Sequence, residues 1–235
     1  MAWQAGVDPT GMDSIAVQIA PRDHWPEMHA VICVVSDAKK GTSSTAGMQR
    51  TVETSSLLQH RINDVVPKRM VAITKAILDK NFDAFARITM ADSNSFHAVA
   101  LDTEPPVFYM NDVSRGIVGA IVEYNRASVA ADGKLRAAYT FDAGPNAVIY
   151  TLREHVPEVI RLITRNFPPE FEFIDNQGVL DGSNSSLPPG FDDKAVGSWP
   201  RGSVKSIIHT TVGDGPLVCS QEHSLLGSDG VPKSI

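Results

Sequence analysis

From Ala137 to Leu152 the chain carries an apolar run, a Gly-Pro pair and a second apolar run, an order that calls for a strand, a sharp reversal and a strand. Ala137-Ala-Tyr-Thr-Phe141 reads as the first strand. Gly144 can take the positive φ that a sharp reversal demands, and Pro145 fixes the next φ. Asp142 stands at the end of the apolar run just ahead of the turn, so rigid backbone aims its carboxylate. The amides of Ala143 and Gly144 are expected to point to one side and form a small anion-binding concavity. A carboxylate beside a phosphate-friendly turn suggests phosphoryl chemistry. Spacing alone leaves a second role equally open, because Asp next to Gly-Pro often does no more than accept turn hydrogen bonds.

The rest of the pattern sets strands and helices in alternation. Met28 to Ser36 is a continuous, largely β-branched run expected to be a strand in the interior of a sheet, and Val204 to Val212 reads as a last strand. Met1 to Gly6 looks like the tail of a strand with no partner before it, and Asp13 to Ala20 is expected to form a short helix capped by Asp13. Leu57, Leu58, Ile62, Val65, Val66, Met70, Ile73 and Ile77 follow a helical period that Pro67 must break or kink. Asp83 is expected to cap the next helix, which Pro105-Pro106 terminates. Another runs from about Asp112 to Arg126, where Gly116 and Gly119 lower propensity but permit close packing on a neighbour. Val156, Val159, Ile160 and Ile163 mark an amphipathic helix. These elements predict an α+β fold: a two-layer α/β sandwich with a mixed or antiparallel sheet and helices on one face.

Composition bounds the partners. With 235 residues, 43% of them hydrophobic and 20% charged, the chain is long enough to bury a sizeable core. Its formal charge of −6 and the lack of any long Lys/Arg run argue against a general nucleic-acid binder. No apolar stretch is long enough to cross a membrane as a helix, no charged-then-apolar leader opens the chain, and a cytoplasmic setting is expected. Cys33 and Cys219 show no metal-ligand spacing, and Cys33 lies in an apolar run as a core residue would.

Several segments, in order, carry a family resemblance: Asp13-Ser-Ile-Ala-Val-Gln18, Val35-Ser-Asp-Ala-Lys-Lys40, Ser43-Ser-Thr-Ala-Gly-Met48, Asp92-Ser-Asn-Ser-Phe-His97, Tyr139 to Ala147 and Thr211-Val-Gly-Asp-Gly-Pro216. They resemble the C-terminal part of the diphosphomevalonate decarboxylase family, in the superfamily of galactokinase, homoserine kinase, mevalonate kinase and phosphomevalonate kinase. The match is dense from about Trp3 to Leu152 and has a fungal cast. The resemblance implies ATP-dependent decarboxylation of mevalonate 5-diphosphate to isopentenyl diphosphate, with Mg2+ accompanying ATP and a homodimer as the common assembly. In similar enzymes the position of Asp142 orients or deprotonates the tertiary C3 hydroxyl that receives phosphate. Ser44 and Met48 fall where relatives touch the substrate diphosphate, and Ala143 would offer a backbone amide. Ser44 is equally readable as a helix cap. Thr45 stands where relatives carry Arg, so no ionic contact is carried over to it.

Other polar residues rank second. Lys39 and Lys40 can attract a diphosphate, although an exposed Lys pair is usually just solvated. Asp92 and Ser95 share one face of a helix, as do Asn94 and His97; with Ser93 they suggest either acid/base chemistry or, as the preferred reading, a polar network bracing that helix against the Asp142 loop. No metal ligand is assigned.

The expected domains are 1–27 as a remnant of an ATP-binding domain and crossover, 28–167 as the C-terminal domain of the superfamily, 168–203 as a flexible loop or insertion with few apolar residues spaced for burial, and 204–235 as the final strand and tail. In the family pattern the phosphate-binding loop lies upstream of Trp3, so the chain alone is expected to be a fragment without turnover. Alternatives are a non-catalytic dimerisation module and a sibling kinase. The kinase would carry a Gly-rich loop in place of Phe141 to Asn146.

Overall fold

The computed structural model describes residues 1–35, 44–180, 186–215 and 218–233, apart from the side chains of Ser44 and Gln221. Its first feature is a hairpin of β1 (Ala2–Gln4) and β2 (Ile15–Val17), paired antiparallel with Trp3 opposite Ala16. The helix expected over 13–20 is therefore a strand. Ile15, Val17 and Ile19 alternate with smaller or polar residues, and that period of two outweighs Asp13 as a cap. Asp13 instead accepts the N–H groups of Val7 and Asp8 at 2.8 and 3.1 Å and closes the loop between the strands.

The main sheet has four strands in the order β4-β5-β3-β6: β3 is Met28–Val34, β4 Ala137–Thr140, β5 Ala147–Leu152 and β6 Ser206–Thr211. Every neighbouring pair is antiparallel, with Val31 opposite Ile149 on one side and His209 on the other. The unbroken apolar run of β3 fits its central place, since both of its edges are paired and its Val31 and Cys33 are fully buried.

Seven helices are described: α1 (Ser44–Thr54), α2 (Ser56–His60), α3 (Val66–Leu78), α4 (Phe82–Leu101), α5 (Asp112–Asp132), α6 (Val156–Asn166) and α7 (Asp193–Val196). Val31, Cys33, Tyr139 and Ile149 on one sheet face meet Ile117, Ile121 and Tyr124 of α5 and Val159, Ile160 and Ile163 of α6. Each such side chain, fully buried, contributes about 1.5–3 kcal/mol. Cys33 is fully buried there and its thiol is pushed up to about 12, so it behaves as a small apolar residue. The alternate positions Met28 and Ala138, flanked by Tyr150, pack with Trp25, Phe82 and Phe85 under α3 and α4.

Helix ends follow local chemistry. Asn111 caps α5 by accepting the Ser114 N–H at 2.9 Å, Ser114 reciprocates, and Gly133 ends the helix with φ of 80°. For α4 the cap is Asn81, not Asp83: its Oδ1 accepts the Ala84 N–H at 3.0 Å. Asp83 accepts the Leu135 N–H instead, at 2.7 Å. Pro67 does not break its helix. A π-turn over Arg61–Val65, in which the Val66 N–H reaches back to the Arg61 carbonyl, joins α2 to α3 and widens the column just before the proline ring must fit.

The segment after Pro168 departs from expectation. Phe173, Val179, Leu187, Phe191, Val196 and Trp199 all pack against the main core. Trp199 stacks on Phe167 with ring centroids 5.7 Å apart, and its N–H donates to the Asn166 carbonyl at 2.8 Å. These apolar residues have no helical or strand spacing because prolines and glycines punctuate them, which is why the sequence reads there as a bare loop. Gly116 is the counterpart on α5. A Cβ at that position would stand 2.6 Å from the Trp199 ring, whereas nothing lies within 4 Å of one at Gly119. Gly119→Ala is expected to stabilise the fold by up to about 1 kcal/mol through helix propensity, and Gly116→Ala to destabilise it by about 1–3 kcal/mol despite the same gain. Urea unfolding followed by circular dichroism checks the opposite signs.

Candidate active site

Strand β4 delivers the candidate carboxylate. Its pairing with β5 ends at Thr140 opposite Val148, and the two residues beyond are Phe141, buried at 5% exposure, and Asp142, exposed. The turn that follows is tied at four places. Ser93 Oγ on α4 accepts the Phe141 N–H at 3.1 Å, and the Gly144 N–H closes on the Asp142 carbonyl at 2.8 Å. Ser114 Oγ at the start of α5 donates to the Pro145 carbonyl at 2.8 Å, and Asn146 Oδ1 accepts the Val35 N–H at 2.8 Å. Helix α4, the first turn of α5 and the end of β3 thus converge on the six residues from Phe141 to Asn146.

Two expectations about the turn need correction. Gly144 is not among the glycines with positive φ, because the reversal is made by a tight bond between Asp142 and Gly144 across Ala143. That bond consumes the Gly144 amide, so the two-amide concavity is not formed. Among the described residues the half-buried Ala143 keeps an N–H with no bonded partner. The carboxylate of Asp142 is also open rather than enclosed. Two hollows among the described residues, of about 540 and 660 Å3, lie elsewhere, the first beside His29, Arg153 and Trp25 and the second between α6 and Phe173.

The polar residues of α4 divide between two faces. Toward β4, Ser93 holds Phe141, Asn94 Oδ1 accepts the Tyr139 hydroxyl at 3.1 Å, and His97 packs edge-on against the Phe141 ring. His97 is 5% exposed, with rings of Phe96, Tyr109 and Phe141 around it. Burial lowers its pKa, and the Phe141 carbonyl and the Asp142 charge oppose that only in part, so the imidazole is held toward its neutral form. On the other face, Arg61 grips Asp92 with two nitrogens at 2.9 and 2.8 Å, and also reaches Ser95 Oγ at 3.1 Å. Arg69 adds a third bond to Asp92 at 3.0 Å. Burial would raise the pKa of Asp92, but the two guanidinium groups outweigh it and keep the carboxyl below its ordinary value. Asp92 and Ser95 are thereby committed to the π-turn and α3, away from Asp142.

Met48, on α1, is 42% exposed, and Thr45 is exposed. Lys39 and Lys40 lie outside the described residues, as does the side chain of Ser44. Ser114 and Asn146 were not singled out by sequence reasoning. Asn111-x-x-Ser114 does carry a capping spacing, but the reach of Ser114 to Pro145 is long-range and leaves no local signal. Among the described residues no three His, Cys, Asp or Glu side chains converge to hold a metal ion. Magnesium held by nucleotide phosphates needs only one or two carboxylates, so the donor set assigns no ligand here. What the arrangement offers is one carboxylate on a stiff bend beside one unengaged amide.

Residues 30–219 match the family described as the mevalonate 5-diphosphate decarboxylase C-terminal domain. A diphosphomevalonate decarboxylase of Ganoderma lucidum is 61% identical over 235 residues, covering 99% of this chain and 59% of the relative. A crystal structure of mevalonate 5-diphosphate decarboxylase is similar with a TM-score of 0.76 at 41% identity, over 97% of this chain and 57% of that one. A structure of MDDEF in complex with MVAPP, AMPPCP and magnesium is similar with a TM-score of 0.53 at 27% identity, over 62% of this chain and 42% of that one. The chain therefore spans less than two thirds of the length of each of these proteins.

Proposed function

Because this chain belongs to the mevalonate 5-diphosphate decarboxylase family, we propose that it serves the ATP-dependent decarboxylation of mevalonate 5-diphosphate to isopentenyl diphosphate, phosphate and carbon dioxide. The observation that carries this reading is the four-point anchoring of the bend that presents Asp142. A tertiary alcohol is too weak an acid to attack the terminal phosphate of ATP unaided, and a fixed carboxylate supplies the acceptor for its proton. The same charge then favours the positive character that develops at C3 as phosphate leaves and the carboxylate is lost. The Ala143 N–H, left over from the turn, is placed to meet an anionic oxygen of the substrate. ATP and Mg2+ are proposed as co-substrate and its counter-ion, in keeping with the MDDEF complex.

No described helix is long and apolar enough to cross a membrane. We further propose that the enzyme is cytoplasmic and homodimeric, as the family resemblance implies. The test at the level of this chain is calorimetric titration with mevalonate 5-diphosphate. Binding is expected in the high micromolar to millimolar range, about −4 to −5.5 kcal/mol, and Asp142→Asn is expected to shift it by no more than a few-fold. Failure of the chain to bind in both forms, with inorganic diphosphate as the reference ligand, removes the substrate assignment from these residues.

A further inference from the structure

Phe141 is the last residue of β4 before the candidate carboxylate, and strand pairing has already ended at Thr140. Nothing in the sheet holds its backbone. Helix α4 does so instead, with two side chains one turn apart: Ser93 accepts the N–H at 3.1 Å, and His97 lays its ring edge-on to the Phe141 ring with centroids 6.2 Å apart. Both side chains are buried, at 4% and 5% exposure. We infer that Ser93 and His97 are positioning residues for the decarboxylase reaction, a clamp on the Phe141 peptide that fixes the direction in which Asp142 leaves the strand. The inference rests on the reading of Asp142 given above.

Packing alone does not account for these residue types. His97 sits among the rings of Phe96, Tyr109 and Phe141, a site that an aromatic hydrocarbon would fill without an orphaned nitrogen. Its Nε2 is buried with no hydrogen-bond partner among the described residues, a cost that a space-filling side chain would not carry. In the proposed clamp the other nitrogen, Nδ1, has the Phe141 carbonyl as its partner. Burial holds the ring toward neutrality, which keeps a positive charge on His97 from drawing the Asp142 carboxylate toward it. Reactions that depend on a carboxylate's approach lose about 100-fold for a displacement of the order of 1 Å, so a clamp one residue away acts with leverage.

Three variants separate positioning from general stability. Ser93→Ala removes the acceptor for the Phe141 N–H, His97→Phe keeps the ring stack and removes both nitrogens, and His97→Asn restores a donor near the Nδ1 position. By NMR on the 235-residue chain, amide exchange at Phe141 is expected to quicken about tenfold in Ser93→Ala while Ala138 and Ile149 stay protected. In the whole enzyme, His97→Phe is expected to lower kcat by about 10- to 100-fold with KM for mevalonate 5-diphosphate within about twofold, and His97→Asn to recover most of the loss. Faster exchange spread evenly over β4, or His97→Asn no better than His97→Phe, overturns the clamp. Normal turnover in Asp142→Asn sinks the reading of the site and this inference with it. Loss of turnover in Asp142→Asn, with the Ser93 and His97 variants kinetically silent, overturns the clamp alone.

Discussion

Asp142→Asn in the whole enzyme is expected to lower kcat by about two to four orders of magnitude and to leave KM for mevalonate 5-diphosphate within a few-fold. The substitution is close to isosteric. The bonds that shape the bend use the Phe141 N–H, the Asp142 carbonyl, the Pro145 carbonyl and the Asn146 side chain, none of which it touches. A fall in rate is therefore chemical in origin, and an unchanged melting temperature verifies that. An amide can still orient the C3 hydroxyl but cannot take its proton at neutral pH, so the loss measures proton acceptance rather than substrate holding. Steady-state release of carbon dioxide and a separate measure of ADP formation show whether both steps fall together, as they must when phosphorylation precedes decarboxylation. Activity within a few-fold of the parent would return Asp142 to the role of a turn residue.

Arg136→Ala is expected to destabilise the fold by about 3–5 kcal/mol, through a charge network at the end of β4 opposite to the candidate site. Arg136 donates to Glu158 at 3.0 Å and to Asp132 at 2.7 Å, and Glu158 also accepts the hydroxyl of the fully buried Tyr124. The side chains of Arg136 and Glu158 are each only 15% exposed, so removal of the guanidinium strands a carboxylate with little access to water. Burial alone would raise the pKa of Glu158. The nearby His155 ring, the Tyr124 hydroxyl and the Arg136 guanidinium outweigh that and hold it below its ordinary value of 4.5. A carboxyl depressed in the folded state binds fewer protons there than in the unfolded chain. Its contribution is present in full above the unfolded value and is lost as the pH falls through the folded one. Urea midpoints of the parent chain should fall as the pH drops below about 4.5, and Glu158→Gln should flatten part of that slope while lowering the plateau at neutral pH. A midpoint for Arg136→Ala within about 1 kcal/mol of the parent would show that the network is neutral on balance.

What could be read in advance depended on the range of the interaction concerned. Strands β3, β4, β5 and β6 and helices α5 and α6 are legible because their apolar residues recur at two or 3.6 positions and their ends carry local signals. β2 was legible too, in the alternation of Ile15, Val17 and Ile19, but a possible cap at Asp13 outweighed it in the reading. The packing of Phe173, Leu187, Phe191 and Trp199 leaves no period and is seen only once α5 and Phe167 are in place. At the site, Asp142 stands out from its neighbours in sequence. Its supports do not, since Ser93, Ser114 and Val35 reach the bend from 48, 31 and 111 residues away in the bonds they make. The left-handed Gly144 was a fair inference from composition that a shorter hydrogen bond made unnecessary.

The π-turn ahead of Pro67 has a bearing on more than the proline. One extra residue in a helical turn acts as a phase shift: every side chain before it is rotated by about 100° relative to those after it. Arg61, at the start of the shift, and Arg69, beyond it, come to bear on a single oxygen of Asp92 from either side of that offset. The wide turn thus works as a dial set between two stretches of regular pitch, and its setting is what lets one acidic residue on α4 keep both stretches in alignment.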